Sequence, residues 1–282
     1  MTVVESQRTL AGPITVAGIG LHSGAHAVAR LMPGPPDHGV VFRRVDLADG
    51  PVVPARLSEV VETAFGVVLG QRVRVATVEH LLSAARGVGV DNLTVELHGE
   101  ELPCGDGSAQ VFVEAFHEAG VVDQGVPRSY ITLDSTLTVG DGASLIAAVP
   151  SSRFHVTCVA TVDRTSLPPQ IAEYDAQIDD YAAAIAPART WGLWEDEAAL
   201  KARGFARGAS LATALIIGPD GFLNPPRFPN ELARHKILDA VGDLALLGRP
   251  LRAHVVAVRS GHTLNVALAR EIARCLGHPT DA

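Results

Sequence analysis

A chain of 282 residues that is 47% hydrophobic and 19% charged has enough apolar material for one large core or two of ordinary size, which excludes a disordered chain. A formal charge of −8 argues against broad contact with a phosphate backbone, so nucleic acid is not an expected partner. No apolar run approaches the roughly 18 residues that span a bilayer, and the opening MTVVESQRTLAGPITVAG lacks the basic start and long apolar segment of a signal peptide, so a cytoplasmic location is expected.

In chain order, strand-like segments come first (TVAGIGLHSG, AHAVARLMPG, GVVFRRVDL), punctuated by Gly and Pro. ATVEHLLSAARGVGVDN then predicts a short helix with Thr77 as N-cap, Leu81, Leu82 and Ala85 facing inward, and Gly87 as its stop. NLTVEL alternates as a strand, SAQVFVEAFHEAG reads as a second helix ending at Gly120, and VVDQGVPRS reads as a break. The order then repeats. Strands (SYITLDSTLTVG, SLIAAVP, FHVTCVATV) precede a helix over AEYDAQIDDYAAAIA and an insert, RTWGLWEDEAALKARGFARGASLATALIIG. A long helix around RHKILDAVGDLALLG follows, with Pro229 near its first turn and Gly248 and Pro250 closing it. The strand AHVVAVRSG and the helix TLNVALAREIARCLG finish the chain. Strands and helices mix without regular βαβ alternation, which predicts two α+β domains, 1–126 and 127–282. Cys104, Cys158 and Cys275 form no CxxC pair and read as small buried hydrophobes in a reducing compartment.

The long helix holds the first chemical signal. His235, Asp239 and Asp243 recur at i, i+4 and i+8, one stripe on an otherwise mostly apolar helix. A His and an Asp four apart can both reach one metal ion, and they can equally form an ordinary hydrogen-bonded pair. Catalytic zinc sites take three protein ligands and keep a position open for water. His80 is the best third ligand, because its neighbour Glu79 could act as base. Three ionisable groups on an apolar helix are costly if buried unpaired, and a metal or a partner resolves that cost. The residues alone leave both readings open.

GIGLHSG, TVEHLLSAARGVGVDN, DGSA, ARTWG, RHKILDAVGDL and SGHTLN, in that order over nearly the whole chain, resemble the UDP-3-O-acyl-N-acetylglucosamine deacetylase family. The resemblance implies a zinc amidase of lipid A biosynthesis. Its expected fold is two α+β domains of similar topology, each a mostly antiparallel sheet with two helices, with the active site between them. It implies His80, His235 and Asp239 as zinc ligands, Glu79 as general base, and His262 as general acid or electrostatic stabiliser. Asp243 would hold and charge that imidazole, and Thr190 would help to stabilise the oxyanion. Iron(II) also suits a His₂Asp set. Trp191, Leu193, Trp194, Leu211 and Ile216, in an insert at about 190–217, are expected to form the passage for the acyl chain. Without the resemblance, such residues read as core packing. Lys236 and Arg259 match basic residues near the substrate's diphosphate, and His22 belongs to the matching GIGLHSG stretch. The implied partner is an acylated UDP-amino sugar, bound by a monomer with at most peripheral membrane contact.

The chain departs from the family pattern at several places. Ser144 stands where a lysine usually follows GDG, and Val162, within Thr161–Thr165, where an aromatic platform lies by the uracil. Trp191 replaces a phenylalanine beside Thr190, and Glu197 stands at a usually apolar position. Two alternatives remain: a paralogue deacetylating another N-acetyl amino sugar, and a catalytically silent binding protein. Retention of Glu79, His262 and Asp243 disfavours silence, since bare binding needs none of them. The chain also lacks a glycine-rich phosphate loop opening a helix, which disfavours a sugar kinase of similar build.

Overall fold

The computed structural model describes residues 5–140 and 142–277. Two sheets organise it, and they share one plan. In the first, Ile14–Ile19, His26–Pro33, Leu93–His98, Val40–Arg44 and Val52–Pro54 lie side by side in that order. In the second the order is Leu137–Gly140, Leu145–Pro150, Leu251–Val258, His155–Ala160 and Gln170–Asp175. By chain position both run first, second, fifth, third, fourth. In both, the fifth and third strands pair in parallel and every other pair is antiparallel. The second sheet adds the short strand Ile131–Thr132, parallel to Leu251–Val258. The inner strands of both sheets are specified by alternation of buried and more exposed positions. In the central strand of the second sheet Leu251, Ala253, Val255 and Ala257 are buried while the residues between them are partly exposed.

Six α-helices complete the described residues: α1 Glu79–Val88, α2 Gln110–Ala119, α3 Tyr181–Ala184, α4 Glu197–Ala202, α5 Glu231–Ala245 and α6 His262–Cys275. In each half one long helix (α1, α5) precedes the fifth strand and one (α2, α6) follows it. The equivalent helices α1 and α5 pack against each other. Both are buried nearly all round, as a helix at the centre of a molecule must be. Each half also carries a small three-stranded sheet ahead of its long buried helix: Val60–Glu62, Val68–Leu69 and Val75–Ala76 in one, Trp191–Leu193, Leu215–Gly218 and Gly221–Phe222 in the other. The fold is α+β.

Several local expectations need correction. Thr77 is not the N-cap of α1: its backbone is left-handed (φ 58°) and its hydroxyl donates to Glu101 instead. Gly87 does not stop the helix. It lies within α1 because Tyr181 packs on that spot, where a Cβ would overlap the ring. The stop is Gly89, in the left-handed conformation at φ 81°. The break after Gly120 is a strand, Val121–Pro127, which pairs with Ser6–Leu10 and satisfies its backbone there. The long helix expected over 172–186 is an edge strand, Gln170–Asp175, followed by the single turn α3, capped by Asp180. The segment SYITLDSTLTVG splits into two short strands. Cys104 and Cys158 are buried, but Cys275 is exposed.

Candidate active site

The first turn of α1 and the middle of α5 bring His80, His235 and Asp239 together, and one ligand atom of each lies within 4.8 Å of the others. All three side chains are buried. The imidazoles of His80 and His235 meet edge-on at 5.3 Å. His235 Nδ1 donates to the carbonyl oxygen of Ala188 at 3.1 Å. A carbonyl only accepts, so this bond fixes the tautomer and leaves Nε2 with a lone pair. That lone pair faces Asp239 Oδ1 at 3.3 Å. Two acceptors facing each other in a buried site ask for a cation between them. His80 Nδ1 and Asp239 Oδ1 have no hydrogen-bond partner among the described residues. Burial holds the His235 imidazole below its usual range and pushes that of His80 down to about 3, His235 adding to the latter, so both are neutral and able to ligate. Burial alone would raise Asp239, but the positive charges of Lys236 and His262 beside it outweigh this and keep the carboxylate ionised. The residues fit a divalent metal in donor type, charge and placement.

Two further ionisable groups flank this set. Glu79, adjacent to His80, accepts from the backbone N–H of Val67 at 3.0 Å. Burial raises its carboxyl to about 7, against the pull of the His262 charge. His262, the first residue of α6, donates through Nδ1 to Asp243 Oδ2 at 2.9 Å, and its Nε2 lies 4.0 Å from Asp239 Oδ2. Burial alone would lower this imidazole, yet Asp243, Asp239 and Glu79 together carry it up to about 10. The site therefore pairs a carboxylate that can take a proton near neutrality with an imidazolium that keeps one.

The other expected residues fall in different surroundings. Thr190 is half-buried; its backbone N–H donates to Gly107 at 2.7 Å and its carbonyl accepts from Leu215, two residues beyond the Ala188 carbonyl that orients His235. Lys236 is no solvated surface charge: its Nζ is 2.8 Å from Asp239 Oδ2 and 5.8 Å from the centre of the Trp191 ring. Arg259 is paired with Asp163 at 3.0 and 2.5 Å. Trp191 and Leu193 pack against the core, Ile216 is half-buried, and Trp194 and Leu211 are exposed. The His22 ring accepts from the Ala206 N–H at Nδ1 and donates through Nε2 to Phe65 at 3.0 Å, joining the first half to the insert.

Some supporting groups were not singled out from the sequence. Glu231 is fully buried and accepts from the Arg189 backbone at 3.0 Å, the Arg189 guanidinium at 2.9 and 3.2 Å, and the Arg227 N–H. This fixes the segment that carries Ala188 and Thr190. The signal was present, since Glu231 continues the α5 stripe one turn before His235. Asn265, whose Nδ2 donates to Asp243 Oδ2 at 2.8 Å, lies three residues after His262 on the same face of α6. Glu101 accepts from the His22 and Ser23 N–H groups and the Thr77 hydroxyl, so it anchors the GIGLHSG loop to the segment leading into α1; no spacing rule pointed to it.

A neutral two-imidazole, one-carboxylate cluster, with a base and an acid of opposite protonation beside it, is the arrangement of a metal-dependent hydrolase. The comparisons narrow that class. The family model described as "LpxC: UDP-3-O-acyl N-acetylglycosamine deacetylase" matches residues 7–274, and the chain belongs to this family. It is similar to the UDP-3-O-acyl-N-acetylglucosamine deacetylase of Myxococcus xanthus, 42% identical over 95% of this chain and 86% of that protein. It is also similar to the proteins of the same name from Trichormus variabilis (40% identical; 94% and 98% covered) and Thermosynechococcus vestitus (40%; 96% and 95%).

Proposed function

We propose that the protein hydrolyses the N-acetyl group of UDP-3-O-acyl-N-acetylglucosamine, releasing acetate and the free amine, as a committed step of lipid A biosynthesis. The observation that carries this is geometric: Glu79, held by the Val67 N–H, and His262, bonded to Asp243 at 2.9 Å, flank the buried His80–His235–Asp239 cluster. A divalent cation held by those three residues, zinc by preference or iron(II), would polarise the amide carbonyl and acidify a water. Glu79 takes the proton from the attacking water. His262, held by Asp243 and Asn265, donates one to the departing amine, and the Thr190 hydroxyl supports the oxyanion. Lys236, Arg259 and His22 bind the nucleotide sugar, while Trp191, Leu193, Trp194, Leu211 and Ile216 line the acyl passage.

The chain is read as two domains joined near residues 126–127, with the insert at about 190–217 in the second. The repeated strand order of the two sheets supports that division. The enzyme works as a cytoplasmic monomer with at most peripheral membrane contact. No helix among the described residues is long and apolar enough to cross a membrane.

A second reading, deacetylation of another N-acetyl amino sugar, draws on residues 161–165. Val162 is buried, so it offers no stacking surface, and Arg164 is bound to Glu195 and Asp196. Acetate release from the UDP-linked substrate and from simpler N-acetylated sugars, with a chelator control and Glu79→Ala, separates the two readings. Failure to release acetate from any of them with metal bound would overturn both.

A further inference from the structure

The C-terminal ends of α1 and α5 line a cavity of about 260 Å³ that the reaction does not use. Six arginines line it, Arg8, Arg86, Arg128, Arg153, Arg249 and Arg252, against two carboxylates, Glu5 and Asp91. In a chain with a formal charge of −8 such a concentration asks for a cause.

Part of it is structural. Arg8 donates to the Val88 carbonyl at 3.2 Å and Arg128 to that of Gly89 at 2.9 Å, which satisfies the exposed end of α1. Arg153 pairs with Asp175 at 2.9 Å. Arg86 and Arg252 are not accounted for in this way. Arg86 has only a long ion pair, to Asp91 Oδ1 at 3.9 Å, and makes no side-chain hydrogen bond among the described residues. Asp91 is already engaged: its Oδ2 accepts from the Arg8 N–H at 2.9 Å and from Arg128 at 3.1 and 2.7 Å. Arg252 stacks over the Tyr130 ring at 3.9 Å and has no carboxylate partner among the described residues. Burial pulls the half-buried Arg86 guanidinium down to about 10; Asp91 opposes this and Arg128 adds to it. A bound anion would relieve that strain.

We propose that this cavity binds a compact phosphorylated small molecule, held by the guanidiniums of Arg86 and Arg252 where the two halves of the chain meet. Each guanidinium offers a planar fork of donors, and a phosphate's three terminal oxygens can serve two forks where a carboxylate's two serve one well. The volume sits just under the roughly 300–1,000 Å³ of drug-sized sites, so an acylated sugar nucleotide is too large for it. Arg86 lies six residues along α1 from His80, about 9 Å by helical rise, so the ligand would be distinct from the substrate.

Calorimetric titration of the metal-loaded full chain with inorganic phosphate and with glucose 6-phosphate tests this. One saturable site is expected, tighter for the ester, weakened at least tenfold in Arg86→Gln/Arg252→Gln and unchanged in Lys236→Gln. Acetate release by the double variant should match that of the parent. Should the double variant not fold, by circular dichroism, Arg252→Gln alone is expected to weaken binding severalfold. No saturable binding of either probe, equal binding by the arginine variants, or loss of binding in Lys236→Gln alone would each overturn the proposal.

Discussion

Asp243 Oδ2 accepts from His262 Nδ1 at 2.9 Å and from Asn265 Nδ2 at 2.8 Å, so one buried oxygen fixes both the orientation and the charge of the imidazole. His262 stands well above its ordinary value, at about 10, so its protonated form persists through neutrality and is lost only as pH rises toward that value. Replacing Asp243 with Asn removes the largest upward pull, so the proton leaves at lower pH. Asp243→Asn is expected to shift the alkaline limb of the kcat/KM profile to lower pH. It should also slow acetate release by about 10²-fold at neutral pH, the usual scale of a general acid's contribution. A variant with reduced activity but an unmoved alkaline limb would assign Asp243 to packing alone.

The same buried surroundings make the proposed metal ligands a matter of stability. His80, His235 and Asp239 leave acceptor atoms turned toward each other, a cost that a bound cation offsets. Chelation should therefore lower Tm and returning Zn²⁺ should restore it, with a gain of about 2.7 kcal/mol in unfolding free energy at a hundred times Kd. His235→Ala should abolish the metal-dependent rise in Tm. A melt that ignores both chelator and metal would remove the cluster from consideration as a binding site.

What could be read in advance was whatever depends on periodicity within one segment. The α5 stripe, the inward face of α1 and the alternating strands are local patterns, and the fold follows them. Errors arose where a distant partner overrode a local rule. Thr77 looks like an N-cap until Glu101 takes its hydroxyl, and Gly87 looks like a stop until Tyr181 packs on it. The 172–186 segment has helical composition, but pairing with His155–Ala160 makes its first part a strand. For the site, spacing pointed to His235 and Asp239, the neighbouring Glu79 pointed to His80 as third ligand, and the resemblance supplied His262. The Ala188 carbonyl, and Arg189 as the partner of Glu231, became visible only in three dimensions.

Helix contact sets the spacing of the whole centre. Gly242, next to Asp243 on α5, lies against the backbone of Glu79, and a Cβ there would overlap the Glu79 carbonyl oxygen. Backbone atoms at a helix start cannot yield as a flexible side chain can. Gly242→Ala is expected to cost about 1–3 kcal/mol in chemical denaturation, the range for an overpacked core. Because it parts α1 from α5, it should weaken metal affinity as well, separating His80 from His235 and Asp239. An alanine variant with unchanged metal affinity would show that the two helices do not set the ligand spacing.

Arg259 supplies the last test. Its guanidinium is held by Asp163 in an exposed pair, and such pairs are screened by solvent and contribute little to folding. The pair instead competes with any phosphate that Arg259 is meant to grip. Removing the carboxylate frees the cation, so Asp163→Ala should lower KM for the UDP-linked substrate severalfold, with kcat and Tm unchanged. Arg259→Ala should raise KM by on the order of tenfold, again without a change in kcat, since it removes binding shared by ground and transition states. Initial-rate kinetics on the two variants decide the matter. If both change kcat and neither changes KM, Arg259 does not hold the diphosphate.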